Sequence, residues 1–146
     1  MLFRSGRVQI HGKVADAAPA CGDGIAWEVV HQGELGRNLL GHGAFENGGQ
    51  EVIGKTPFTV EVRPGDRIQL TVLPKMGHGC DTTTVEFEIT AQDGKTWNVT
   101  KDTLAHFAKD TQKNPMPDSY GNPGVWQFSD MAGGAETIPK IGRAHV

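Results

Sequence analysis

Short runs of alternating apolar and polar residues recur along this chain, as they do in strands that bury one face. In the first of the four clearest runs, Ile25, Trp27 and Val29 alternate with Ala26 and Glu28. The apolar members of the other three are Phe58, Val60 and Val62, then Ile68, Leu70 and Val72, then Val85, Phe87 and Ile89. Such runs predict antiparallel strands with one face toward a core and one toward water.

Weaker patterns predict further strands at residues 8–14, 37–40, 51–53, 96–99 and 125–128. Asp93-Gly94 predicts a hairpin turn before the Trp97 strand, and only residues 101–108 have a helical pattern. The 20 glycines and 8 prolines between the apolar runs indicate many turns. We therefore predict an all-β fold, an antiparallel β-sandwich that is jelly-roll-like and has eight or nine strands.

The two ends of the chain differ from the rest. Met1-Leu2-Phe3-Arg4-Ser5 resembles the in-frame translation of a common sequencing adapter, and residues 141–146 resemble the translation of the complementary adapter. Both ends are therefore set aside for fold prediction. The expected organisation is an adapter-derived stretch at 1–5, a sandwich module at 6–130, a linker to further parent sequence at 131–140, and an adapter-derived stretch at 141–146.

Charge and hydropathy exclude two classes of partner. The chain has 14 basic and 17 acidic side chains, and without Arg4 and Arg143 the balance is 12 minus 17, or −5. This mild acidity argues against a nucleic-acid partner, whose phosphates require a basic surface. No apolar run is long enough to cross a bilayer, so membrane insertion is not expected.

Five segments, taken in order, carry a family resemblance. They are Ala-Cys-Gly-Asp-Gly-Ile-Ala-Trp-Glu at 20–28, Val-Glu-Val-Arg-Pro-Gly-Asp at 60–66, Gly-His-Gly-Cys-Asp-Thr-Thr-Thr-Val at 77–85, Gly-Lys-Thr-Trp-Asn-Val at 94–99, and the stretch 114–128. This set resembles the carbohydrate-binding-like β-sandwich module of large planctomycete-type proteins that also contain cytochrome c domains. The resemblance implies a periplasmic, cell-surface or secreted parent. It also implies contacts with other parent domains, which would carry the haem, because no Cys-x-x-Cys-His motif occurs here.

The cysteines and the acidic residues beside them have two interpretations each. A disulfide between Cys21 and Cys80 would close a loop of about sixty residues and would indicate an oxidising compartment. The alternative is a pair of free thiols in a reducing compartment. Asp23 and Asp81 are candidate ligands of a structural calcium ion, which prefers carboxylate oxygens, or they cap turns through backbone amides.

The aromatic residues decide whether a sugar site is expected, because sugar rings stack on flat, exposed aromatic faces. Trp27 and Trp97 are in register with apolar neighbours, which predicts that they face the core. The loop that leads into the last predicted strand contains the candidate ligand contacts, which are Tyr120, Trp126, Asp118 and Asn122, together with His78 from an earlier segment. The alternative is that Trp126 seals one end of the sandwich and Tyr120 anchors the loop.

Other chemistries fit less well. His42, Cys80, His106 and Met116 occur in blue-copper order, but the spacing differs from that of such sites. A zinc site from His78, Cys80 and His106 lacks paired ligand spacing, Glu86 and Glu88 are expected on a solvated strand face, and no nucleophile-elbow motif occurs. We expect a non-catalytic module without its own cofactor, binding a polysaccharide or glycoconjugate. The alternative is a docking or spacer domain with no sugar ligand.

Overall fold

The computed structural model describes residues 6–17, 24–74, 83–108 and 114–129. Within these residues it contains seven strands and one helix. They are β1 (Gly6–Asp16), β2 (Ile25–Gly33), β3 (Gly36–Phe45), β4 (Gln50–Val62), β5 (Arg67–Pro74), β6 (Thr83–Ala91), β7 (Thr96–Asn98) and α1 (Val99–Ala108).

The strands form two antiparallel sheets, which confirms the predicted all-β sandwich. One sheet has the order β4-β1-β6-β7 and the other the order β3-β2-β5. The chain passes from one sheet to the other after β1, β3, β4 and β5, whereas β2–β3 and β6–β7 connect neighbours in the same sheet. This repeated crossing agrees with a jelly-roll-like arrangement.

The described residues contain fewer strands than the eight or nine predicted. The stretches 51–53 and 58–62, predicted as two strands, belong to the single strand β4, which pairs with β1 along both parts. The register shift between Ile10 and Gly12 accommodates the irregular middle of β4, and Pro57 is tolerated because β4 lies at a sheet edge. Residues 125–128 contribute only an isolated bridge, between Trp126 and Met116.

The core is built from the inward-facing residues of both sheets. The fully buried aliphatic side chains of this core are Ile10, Val14, Ile25, Val29, Ile53, Val62 and Ile89, and each such residue contributes about 1.5–3 kcal/mol through burial. Trp27 is buried and Trp97 packs against the same cluster, so both were placed correctly from the sequence. The indole N–H of Trp27 donates to Glu51 Oε1 at 3.1 Å, which satisfies its polar atom.

Two turns form as their residues predict. In Arg63-Pro64-Gly65-Asp66 the backbone N–H of Asp66 donates to Arg63 O at 3.0 Å, and Gly65 has φ of +91°, which favours glycine. Between β6 and β7, the N–H of Gly94 donates to Ala91 O at 3.1 Å, and Gly94 has φ of +87°. The Asp93-Gly94 hairpin is therefore confirmed.

The helix predicted at 101–108 is confirmed, and it begins two residues earlier, at Val99. Asn98 caps its N-terminus, because the Asn98 Oδ1 atom accepts the backbone N–H of Lys101 at 3.0 Å. Within the described part of the chain, no helix is both long and apolar enough to cross a membrane.

Candidate functional site

The loop at residues 118–124, which contains most of the predicted ligand contacts, rises from a base that belongs to the core. At this base the N–H of Met116 donates to Trp126 O at 2.7 Å, and the N–H groups of Val125 and Trp126 donate to Met116 O at 2.8 and 2.9 Å. All three residues are buried in the main hydrophobic cluster. The two ends of the loop are therefore held together by backbone bonds and by packing.

The side chain of Asp118 holds the loop together through hydrogen bonds. Its Oδ1 atom accepts the backbone N–H groups of Tyr120 and Asn122 at 3.0 and 2.9 Å. Its Oδ2 atom accepts the Trp97 indole N–H and the Asn122 side-chain amide, both at 2.8 Å. A carboxylate has about four acceptor sites, and four N–H donors already occupy this buried one. Asp118 therefore positions the loop and has little capacity left to bind a ligand directly.

The electrostatics of Asp118 follow from the same contacts. Burial alone would raise the pKa of this carboxyl, because burial disfavours the charged form. Hydrogen bonds from Asn122, Trp97 and Tyr120 stabilise the charged form and together outweigh burial, so the pKa of Asp118 lies below its ordinary value. The loop is thus built around an ionised carboxylate.

Tyr120 is the exposed aromatic residue of this loop. Its hydroxyl oxygen accepts the backbone N–H of Thr96 at 3.1 Å, and its ring meets Trp97 edge-on, with centroids 5.7 Å apart. The Lys95 Nζ atom lies 5.6 Å from the Tyr120 ring centroid. Although the ring is held by these contacts, Tyr120 is 47% exposed. The site therefore presents a fixed, partly exposed aromatic ring beside a cation.

Trp126, the other aromatic candidate, has a different environment. It is 8% exposed, and its indole N–H donates to Asp102 Oδ2 at 2.7 Å, where Asp102 is itself buried on α1. A ligand therefore has access neither to the faces of the Trp126 ring nor to its N–H group. Trp126 instead ties the base of the loop to α1. Asn122 is exposed, but its side-chain amide donates to Asp118.

Five other candidates lie outside the described residues. They are His78, the cysteines Cys21 and Cys80, and the candidate calcium ligands Asp23 and Asp81. The flanking strands give one relevant fact, because Asp16 pairs with Thr83 and Ile25 pairs with Pro74. The described residues nearest to Cys21 in the sequence are therefore close to strand partners of those nearest to Cys80. The disulfide and the calcium site remain predictions.

Among the described residues, no group of three or more His, Cys, Asp or Glu side chains could hold a metal ion. Of the blue-copper set, His42 is exposed on β3 and Met116 is buried at the base of the loop, while Cys80 and the side chain of His106 lie outside the described residues. Glu86 is exposed, as predicted. Glu88, which was predicted on the same solvated face, is instead partly buried. Its carboxylate accepts an N–H of the Asn98 side-chain amide at 3.1 Å and lies 3.1 Å from His11 Nε2.

Another buried aspartate, Asp66, has a partner that the sequence did not predict. Asp66 Oδ2 lies 2.8 Å from His31 Nε2 and accepts the backbone N–H of Arg63 at 3.0 Å. The hydrogen bond from His31 is the largest cause of a lowered pKa at Asp66, and it outweighs the opposing effect of burial. The Pro-Gly-Asp turn marks Asp66 in the sequence, but no local signal connects it to His31, which lies on the neighbouring strand of the same sheet.

The loop at 118–124 and the exposed ring of Tyr120 remain the best-defined candidate site in the described chain. Comparisons with protein-family models, with curated proteins and with solved structures found no match to this chain.

Proposed function

We propose that this sandwich is a non-catalytic module that binds a carbohydrate or glycoconjugate, with Tyr120 as its stacking surface. The observation that carries the proposal is that Tyr120 is nearly half exposed and yet fixed by Thr96, Trp97 and Asp118. An exposed aromatic ring that is already held in place loses little conformational entropy when a ligand stacks on it. Preorganisation of this kind supports a binding role.

Polar groups beside the ring support the same role. Lys95 carries a cation within reach of the Tyr120 ring, at a distance where cation–π attraction acts. Its ammonium group has three hydrogen-bond donors that could turn toward sugar hydroxyls. The site would therefore combine apolar stacking with donors at its rim.

The non-catalytic part of the proposal is supported by how the buried carboxylates are used. Asp118 accepts four N–H groups, Asp102 accepts the Trp126 indole, and Asp66 is bonded to His31 and Arg63. Each of these carboxylates serves as an internal anchor. We further propose, from the family resemblance alone, that the module belongs to a larger exported protein whose cytochrome c domains carry the haem.

A docking or spacer role is the second candidate, and two observations favour it. Trp126 is packed in the core, where a ligand cannot stack on it. In addition, two leucines, Leu39 and Leu73, are exposed on the outer face of the three-stranded sheet. Under this alternative the outer sheet face contacts other parent domains, and Tyr120 serves only to anchor the loop. The two functions thus depend on different surfaces.

A glycan screen followed by affinity electrophoresis tests the proposal on the full chain. We expect retention by at least one polysaccharide, and we expect Tyr120→Ala to weaken it at least about tenfold, as loss of a central aromatic contact does. Tyr120→Phe keeps the ring and should retain most of the affinity. Leu35→Ala, which removes an exposed apolar side chain at the β2–β3 turn, is the matched control and should change nothing.

Two results would contradict the sugar-binding proposal. One is a folded wild type that no glycan retains, which would favour the docking role. The other is retention that survives Tyr120→Ala in a folded variant, which would move the site elsewhere on the molecule. Circular dichroism of each variant distinguishes loss of binding from loss of the fold.

A further inference from the structure

The outer face of the four-stranded sheet carries a row of uncharged polar side chains that crosses all four strands. Gln9 of β1 pairs with Thr59 of β4 on one side and with Thr90 of β6 on the other. Thr90 in turn pairs with Thr96 of β7. Directly paired residues lie on the same face of a sheet, and this face points away from the core because Ile89, which precedes Thr90, is buried in the core. These four polar residues are termed the polar row.

The side chains of the polar row have hydrogen-bonding groups that a ligand can use. Gln9 and Thr59 are exposed, and Thr90 and Thr96 are partly exposed. Among the residues that the structure describes, none provides a hydrogen-bond partner for these four side chains. Amide and hydroxyl groups each donate and accept hydrogen bonds, as the hydroxyl groups of a sugar do. The polar row can therefore bind a series of hydroxyl groups without a formal charge on either side.

The polar row ends at Tyr120, the exposed ring of the candidate site. Tyr120 lies at the free edge of β7, where its hydroxyl oxygen accepts the backbone N–H of Thr96 at 3.1 Å. Neighbouring strands lie about 4.8 Å apart, so the four strands make the polar row about 14 Å long. A ligand that stacks on Tyr120 and also contacts the whole row must be a chain of several sugar units, because one unit does not reach across the sheet.

The charges on the same face favour a neutral ligand over an acidic one. Beside the polar row lie two cations and three carboxylates, which are Arg7, Lys13, Glu61, Glu86 and Glu88. Arg7 is already paired with Glu61 at 3.5 Å, and Lys13 lies opposite Glu86. An acidic polysaccharide would therefore meet a face with more carboxylates than cations, and like charges repel.

We infer that Tyr120 and the polar row form one extended subsite for a linear, neutral polysaccharide, which stacks on Tyr120 and runs across the strands toward β4. This inference rests on the proposed sugar-binding function and names the class of its ligand. A protein partner fits the same face less well. Protein interfaces have an apolar and aromatic centre, and among the described residues of this face only Val52 is a large, exposed apolar residue.

Calorimetric titration of the full chain with oligosaccharides of two lengths tests the inference. The probes are neutral disaccharides and hexasaccharides from cellulose, xylan and mannan, and the acidic comparison is a hexasaccharide from polygalacturonate. We expect at least one neutral hexasaccharide to bind at least about tenfold more tightly than its disaccharide, because only the longer chain reaches the polar row. The polygalacturonate fragment should bind more weakly than that neutral hexasaccharide.

Substitutions in the polar row separate its role from that of Tyr120. Thr90→Val removes a hydroxyl and keeps a β-branched side chain that favours a strand. Combined with Gln9→Ala, it should weaken binding of the hexasaccharide about three- to tenfold and leave binding of the disaccharide unchanged. Thr84→Val is the matched control, since Thr84 is exposed on the same face of β6, opposite Ala15 and outside the polar row. It should change neither affinity.

The results distinguish failure of this inference from failure of the proposed function. If Tyr120→Ala weakens binding of both lengths and the folded polar-row variant weakens neither, the sugar site stands and the extended subsite is overturned. Equal affinity for the two lengths, tighter binding of the polygalacturonate fragment, or equal weakening by Thr84→Val also overturns the extended subsite. A wild type that binds none of these probes overturns it as well, and the wider glycan screen then decides on the proposed function.

Discussion

Two regions of this sandwich are each organised by a buried aspartate, and they use different kinds of partner. At the turn before β5, Asp66 is bonded to His31, which is itself ionisable, and to one backbone N–H. In the loop at 118–124, Asp118 accepts four N–H groups, all of them neutral. Both carboxyls have a lowered pKa, but for different reasons.

The difference shows how each region is stabilised. Neutral N–H donors keep their hydrogens at any pH near neutrality, so the loop around Asp118 is held by a fixed set of donors. Asp66 is instead held by one side-chain contact, to His31 on β2, and by one backbone N–H group. The candidate ligand loop therefore depends less on any single contact than the turn at Asp66 does.

The largest effect that separates the regions is expected from removing the carboxylates. Asp118→Ala leaves four donors without their acceptor and should cost about 2–4 kcal/mol of unfolding free energy, because buried unsatisfied donors are expensive. Asp66→Ala leaves two and should cost about 1–3 kcal/mol. Urea denaturation followed by tryptophan fluorescence measures both. A larger loss for Asp66→Ala would contradict the ranking.

A change of pH sharpens the comparison further. Because the pKa of Asp66 is lowered in the folded state, its ionised form stabilises the protein above the ordinary value of 3.8. That stability is lost as the pH falls through the lower pKa of the folded state. We expect His31→Ala to move the pKa of Asp66 back toward its ordinary value and to leave that of Asp118 lowered.

Carboxyl titration by nuclear magnetic resonance measures the two pKa values in the wild type and in the His31 variant. Asn122→Ala is the reciprocal control, because it should raise the pKa of Asp118 and leave Asp66 unchanged. If His31→Ala shifted both carboxyls equally, the two regions would not be independent. The lowered pKa values of Asp66 and Asp118 would then need a common explanation.

The smallest effect is expected at the hydroxyl of Tyr120. Tyr120→Phe removes the acceptor for the Thr96 N–H and leaves the ring and its contact with Trp97 in place. The residue is half exposed, so water can replace the lost bond, and the cost should be about 0.5–1.5 kcal/mol. Thermal unfolding measures it. A loss as large as that of Asp118→Ala would show that the hydroxyl, not the carboxylate, holds the loop.

The strands with strict alternation were predictable because their signal is local. Ile25, Trp27 and Val29 face the core as their spacing requires, and Gly65 and Gly94 form the turns expected of them. The strand count was less predictable, since β4 continues through Pro57 and residues 125–128 form only a bridge. Both outcomes depend on which other segment of the chain pairs with these residues. The residues near them in the sequence do not specify that partner.

The candidate site divides in the same way. The sequence identified Asp118, Tyr120, Asn122 and Trp126 as neighbours in one loop, but it did not distinguish exposed groups from buried ones. Trp126 is buried in the main hydrophobic cluster, and Asp102, which lies 24 residues earlier on α1, accepts its N–H. Tyr120 stays exposed because Thr96 and Trp97 hold only its hydroxyl and one ring edge.

The amino-acid sequence by itself determined that this chain forms half-buried antiparallel strands joined by glycine turns, because alternation and turn residues act over a few positions. Only the tertiary structure decided which strands share a sheet and which aromatic ring meets solvent. Those outcomes depend on contacts between residues far apart in the chain, such as His31 with Asp66 and Trp97 with Asp118. Such pairings are selected by the packing of the whole core, and no short segment specifies them.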